Sequence, residues 1–231
     1  MNIQNLEMEF QIEERAVAEG AEDRFFRICA FHLAEAGQRR MEEAAFGVRE
    51  HLRNKMDIRV AVRFYDEPLL AEDTLQLNDA SLRCGAFGRI PGEAVKGAFV
   101  YLLTIGETDI EGEKDIMTEL YHDIWGTAYV ESAMAVLRKD CLEGLLDAGL
   151  YLSESFGPGY FGMNMDQGKL LFELVDGTSI GVEQKASGLL TPEKSCLGLV
   201  LVYDRDDIKM PRVCEKCLGT RGGCRFCEKR V

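Results

Sequence analysis

From about Glu13 to Lys55 apolar and charged positions alternate at helical spacing, as in Phe25, Phe26, Cys29, Leu33 and Ala36. Gly20 and Gly37 are expected to end or interrupt helices there. Asp57 to Tyr65 changes period: Ile58, Val60, Val62 and Phe64 alternate with Arg59 and Arg63, the mark of a half-buried strand. Leu75 to Phe87 and Ala98 to Ile105 read as further strands, the second apolar enough to be central. A long helical region is predicted from about Asp115 to Ala148, with a kink at Trp125–Gly126. Asp166 is placed to cap a short helix through Val175, with Gly177 as its terminating glycine. Ile180 to Gln184 and Cys196 to Tyr203 read as closing strands. Strands and helices come in clusters without βαβα alternation, which favours an α+β fold with a mostly antiparallel sheet.

Charge divides the chain. Across its 231 residues the formal net charge is −13. Lys209 to Val231 nevertheless carries seven basic and two acidic side chains, so this tail is +5 and residues 1–208 are −18. Pro211 marks the change, since proline rarely continues a helix or central strand. The expected organisation is an acidic body, 1–208, and a basic, cysteine-rich tail, 209–231. The body's charge argues against nonspecific binding to nucleic acid or membranes. No apolar run approaches the roughly 18 residues a membrane helix needs. The N-terminal segment is too acidic and polar for a signal peptide, so a cytoplasmic protein is expected.

Three features of the body bear on chemistry. Glu131 is the one charged residue between Trp125 and Leu137, and a carboxylate there must be paired or face a polar cleft. It is either a core glutamate satisfied by an arginine or a contact for a cationic ligand, with Asp123 close to the same face. Ser155 to Met163 (SFGPGYFGM) must be a turn, with Pro158–Gly159 at the centre of a type II turn. Bare backbone at Gly157 and Gly159 admits a ligand closely, and Tyr160 offers an aromatic face to a base or cation. Gly157, Gly159 and Gly162 fit G-x-G-x-x-G, but no helix opens at the third glycine, so a dinucleotide fold is discounted. Gly188 to Gly198 reads by itself as a loop.

In the tail, Cys214, Cys217, Cys224 and Cys227 form two C-x2-C pairs across six residues that include three glycines. Four thiolates on such a turn suit tetrahedral zinc or an iron–sulfur cluster, with zinc preferred and free thiols as the alternative. Cys29, Cys84, Cys141 and Cys196 are dispersed and are read as buried hydrophobes.

The segment from about Leu102 to Val202 resembles the reactivation domain of cobalamin-dependent methionine synthase and its small stand-alone relatives. The resemblance rests on an ordered series: Leu103-Thr104-Ile105-Gly106; Asp123 with Gly126-Thr127-Ala128-Tyr129-Val130-Glu131; Pro158-Gly159-Tyr160; Lys169; Ile180-Gly181-Val182; and Leu190-Thr191-Pro192-Glu193-Lys194-Ser195. It implies a curved α+β domain that holds S-adenosylmethionine against the cobalamin of a partner. In that family inactive cob(II)alamin is reduced by one electron and trapped by methyl transfer, with the cofactors carrying the chemistry.

By motif match Glu131, Gly159 and Tyr160 fall at cofactor-contact positions, with Gly157 beside them. The implied partners are a corrinoid protein or methionine synthase subunit and an electron-transfer protein, and the implied role is that of an activation subunit. One departure stands out. Where the family carries an arginine that grips the cofactor's carboxylate, this chain has Ser155, which cannot form the charged fork. Two alternatives follow: a corrinoid-partner module that has lost S-adenosylmethionine, or an interaction protein acting through its zinc tail.

Overall fold

The computed structural model describes residues 6–29, 36–108 and 115–208. Its centre is a five-stranded sheet built from β1 (Glu7–Gln11), β2 (Arg59–Asp66), β6 (Val95–Thr104), β7 (Tyr151–Phe156) and β10 (Ser195–Tyr203). The strand order is β1-β2-β6-β10-β7, and every pairing is antiparallel. The α+β architecture with an antiparallel sheet is therefore as expected, and no parallel dinucleotide-binding unit exists among the described residues. Register shifts in β10 between Val200 and Tyr203 mark bulges, which strengthen local twist.

Period-two alternation divides the sheet's side chains between two cores. Val60, Val62, Phe64, Phe99, Tyr101, Leu103, Val200 and Val202 face α1 (Glu14–Cys29), α2 (Ala36–Leu52) and α3 (Ile116–Val136). Ala61, Tyr65, Ala98, Val100, Leu102, Leu199 and Leu201 face the other way, onto α4 (Gln167–Val175) and a small sheet of β3 (Leu69–Ala71), β4 (Thr74–Leu77) and β5 (Ala80–Arg83). The strand around Val60, expected to be half-buried, is covered on both faces because Ala61 and Tyr65 pack into the second core.

Several local expectations are corrected. Gly20 does not interrupt α1; it lies at the crossing with α3, where an added Cβ would fall 2.5 Å from Ser132 Oγ. Gly37 sits within the first turn of α2. The single strand expected at Leu75–Phe87 is the β4–β5 hairpin, turned at Asn78, whose φ of +49° asparagine tolerates better than most residues.

Helix α3 runs without interruption through Trp125–Gly126. The irregularity comes later, as a π-helical turn at Leu137–Leu142, from which Arg138 reaches the Leu152 and Ser153 carbonyls of β7. Asp166 stands at the start of α4 without capping a backbone amide. The residue that ends α4 is Asp176, in the left-handed region at φ +51°, its carboxylate accepting from Thr178 N and Oγ1. Gly177 instead permits close packing, since a Cβ there would fall 2.0 Å from Leu102 Cδ2. Only Glu183–Gln184 of the strand expected at 180–184 forms as β8, paired with β9 (Leu190–Thr191) inside what reads in sequence as a plain loop. Strands β1 and β7 complete the sheet at positions where the sequence pattern predicts none.

No helix among the described residues is long and apolar enough to cross a membrane. The tail, with Cys214, Cys217, Cys224 and Cys227, lies outside the described residues. Among the described ones, no cluster of three or more histidine, cysteine or carboxylate side chains could hold a metal ion.

Candidate functional site

Where β7 ends and the chain leaves the sheet, a cleft of about 790 Å³ opens between α3, the edge of β10 and the β8–β9 hairpin. That volume falls in the range of small-molecule sites. Helix α3 supplies Thr127, Val130, Glu131 and Met134 to one wall, spaced at i, i+3, i+4 and i+7 so that they share a face. The buried Tyr101 joins Ser155 and Cys196 in the lining, and Gly157, Pro158 and Tyr160 form another wall. Three of the four cofactor residues expected from sequence, Glu131, Gly157 and Tyr160, therefore line one cavity. Gly159 stands just outside the lining, at the apex of the turn.

The turn has the geometry its sequence requires. Tyr160 N donates to Gly157 O at 3.0 Å, and Gly159 takes φ +86°, as the third position of a type II turn demands. Gly159 N to Met163 O at 2.9 Å and Met163 N to Tyr160 O at 2.9 Å close the loop on itself. Ala86 N then anchors it by donating to Phe161 O at 3.1 Å. Phe161 is buried against Phe156, with ring centroids 5.3 Å apart, while Tyr160 is turned out and is 57% exposed. One aromatic of the pair thus fixes the loop and the other faces the cleft. Gly157 has a packing reason of its own, because a Cβ there would fall 3.1 Å from Leu197 O on β10.

Glu131 is not a core glutamate. Its side chain is 51% exposed, and Arg24 Nε approaches it at 3.8 Å, a loose ion pair that leaves carboxylate surface open to the cleft. Asp123, expected on the same face, is engaged elsewhere: Lys194 Nζ donates to its Oδ1 at 2.5 Å and to Thr127 Oγ1 at 3.2 Å. The Lys194 stem lies across Gly126, where a Cβ would fall 2.7 Å from Lys194 Cε. Glycine within α3 therefore serves to seat this lysine. Lys169, on α4, is not in the lining and stands 4.0 Å from Glu173.

Ser155 lies near the end of β7 opposite Val200, and its hydroxyl shares a short hydrogen bond with that of Tyr101. Burial pushes the Tyr101 phenol far up, so it remains protonated. Burial, then the Glu131 charge, raises Tyr160 as well. Cys196, which reads in sequence as a dispersed hydrophobe, is a cleft residue. Burial and then Glu131 push its thiol up to about 12. Because the thiolate is the reactive form, Cys196 should be alkylated at pH 8 at least about ten-fold more slowly than an ordinary cysteine, the greater nucleophilicity of a high-pKa thiolate offsetting part of its scarcity. Mass-spectrometric timing of iodoacetamide labelling checks this; labelling at the rate of a free thiol would contradict it.

Sequence reasoning missed Tyr101 and Cys196 as site residues. The one available signal was Tyr101 itself, a hydroxyl in the middle of an otherwise apolar strand, which when buried needs a partner.

No protein-family model matches the chain, and no curated protein matches it. Among solved structures it is similar to the MetH reactivation domain bound to AdoHcy, with a TM-score of 0.60 over 89% of this chain and 81% of that one. Sequence identity across that match is 11%, so the likeness is one of fold. The body thus has a fold like that of the methionine synthase reactivation domain, in agreement with the resemblance read from its motifs.

Proposed function

We propose that this protein is an accessory of corrinoid metabolism, which docks on a cobalamin-bearing partner and supports its reductive reactivation with S-adenosylmethionine. The observation that carries the reading is a coincidence of two independent lines. The motif series singles out Glu131, Gly159 and Tyr160; Glu131 and Tyr160 line one cleft of ligand size on a reactivation-domain-like fold, and Gly159 stands at the apex of the turn beside it. The neighbour of that fold is described with AdoHcy bound.

The residues present suit S-adenosylmethionine. Glu131 offers a half-exposed carboxylate to a cationic centre, and Tyr160 an aromatic face to a base or to that cation. When bound, the cofactor supplies a methyl group for the partner's reduced corrinoid. The chain's own contribution is to orient the ligand and exclude water from it, which the buried Tyr101 of the cleft lining, its hydroxyl 3.9 Å from Met134 Sδ, favours. Cobalamin belongs to the partner in this reading, which is a corrinoid protein or a methionine synthase subunit. The electron comes from a separate electron-transfer protein. The four thiols of the tail add the proposal of one bound zinc ion or iron–sulfur cluster there.

Titration calorimetry with S-adenosylmethionine tests the ligand part. A saturable one-to-one isotherm is expected for the wild type. Glu131→Gln should weaken it about five-fold, a modest change because the carboxylate is half exposed and already near Arg24. No heat of binding at millimolar ligand would leave the alternative, a corrinoid-partner module without S-adenosylmethionine.

A further inference from the structure

Five charged side chains line the cleft: Glu131, Glu154 and Glu193 against Lys185 and Lys194. Their pairing is uneven. Lys194 is committed to Asp123 and Thr127, and its side chain is only 17% exposed. Arg24, the cation beside Glu131, is also held by the Gly20 carbonyl at 2.9 Å. The Ser155 hydroxyl is taken up by Tyr101. Lys185 is different: it lines the cleft, it is exposed, and no described residue pairs with its ammonium.

Its backbone, by contrast, is fixed. Lys185 N donates to Leu189 O at 2.8 Å, and Gly188 N donates to Lys185 O at 2.8 Å, closing the β8–β9 hairpin. That hairpin is packed against the Pro158 turn through the start of α4: a Cβ on Gly168 would meet Pro158 Cγ at 3.4 Å and Gln184 Nε2 at 3.8 Å. The hairpin therefore presents a free ammonium from a rigid base, beside the turn that carries Tyr160 and across from the wall of α3 that carries Glu131.

The geometry points to Lys185 as the seat for the anionic end of the ligand, so that the cleft recognises a zwitterion with its cation toward Glu131 and its carboxylate toward the hairpin. This rests on the ligand reading above and adds to it the residue that takes over the task Ser155 cannot perform. A lysine serves as a point charge on a flexible stem, so it recognises a carboxylate without the planar fork of an arginine. Holding that stem still costs side-chain entropy, which keeps its contribution at the low end for a charged hydrogen bond.

The test compares S-adenosylmethionine with decarboxylated S-adenosylmethionine, which keeps the sulfonium and the base and lacks the carboxylate. By calorimetry, Lys185→Ala should weaken S-adenosylmethionine about ten-fold and decarboxylated S-adenosylmethionine less than about two-fold, while Lys185→Arg retains most of the affinity. Lys185 is exposed on a turn, so the variants should melt with the wild type. Equal weakening of both ligands, or of neither, overturns the seat and leaves the ligand reading standing. If the wild type binds neither ligand, the ligand reading fails and the seat fails with it.

Discussion

Replacing Trp125 by alanine is expected to cost about 3–5 kcal/mol of folding stability, the upper range for truncation of a single buried side chain. Trp125 is fully buried and joins three helices. Its ring stacks on Phe25 of α1 at 3.9 Å and 9°. Its indole Nε1 donates to the Ala45 carbonyl of α2 at 2.9 Å, and Arg49 Cζ lies 5.3 Å above the ring. Arg49 in turn pairs with Glu22 of α1 at 2.7 Å. The substitution thus removes a large apolar surface, an aromatic pair and a cation–π contact together, with a cavity left between helices that cannot fully collapse. Thermal melting should fall by roughly 10 °C for a domain of this size. A loss below about 1 kcal/mol would mean that α1 and α2 do not pack on α3 as described. Because α3 carries Glu131 and Met134 into the cleft, ligand affinity should fall with stability in this variant.

Ser155→Arg is expected to strengthen S-adenosylmethionine binding about ten-fold or more, toward the value of a charged hydrogen bond to the carboxylate. Ser155 lies on β7 at the cleft, so an arginine grafted there starts from a strand rather than from a loop. It must give up the bond between the serine hydroxyl and Tyr101, whose own hydroxyl would keep only its 3.9 Å contact with Met134 Sδ. That loss limits the gain. The arginine should also make Lys185 largely dispensable: Lys185→Ala should weaken binding far less in the Ser155→Arg background than in the wild type, the non-additivity expected of two groups that share one partner. Calorimetry of the four combinations reads both effects. Unchanged affinity in Ser155→Arg would show that the carboxylate lies elsewhere.

How much of the fold is legible in the sequence varies with the physics of each element. Strands β2, β6 and β10 are visible because each carries an unbroken apolar or alternating run, and a buried central strand leaves no other way to place such a run. Strands β1 and β7 are sheet edges, exposed or only half-buried at most positions, and their mixed compositions (EMEFQ and YLSESF) carry little apolar signal. Glycines mislead wherever packing, not backbone conformation, requires them. Gly20, Gly126 and Gly177 all read as breaks, yet each lies where a neighbouring chain segment comes too close for a Cβ.

At the site, the type II turn at Pro158–Gly159 and the unusual position of Glu131 follow from local chemistry. The division of labour between the two cleft lysines does not. It depends on contacts between residues 71 positions apart in the case of Lys194 and Asp123, and on a hairpin formed from two-residue strands that no periodicity reveals.

The central claim, that this acidic body serves a corrinoid partner, is tested most directly by mixing the protein with a corrinoid protein held in the cob(II)alamin state. Electron-spin-resonance and visible spectra are recorded before and after mixing, and again with S-adenosylmethionine and a low-potential reductant. The account predicts a change in the cob(II)alamin signal on mixing, followed by conversion to methylcobalamin that requires this protein and slows in Glu131→Gln. Unaltered spectra across a panel of corrinoid proteins and methionine synthase subunits, with no methylcobalamin formed, would contradict it.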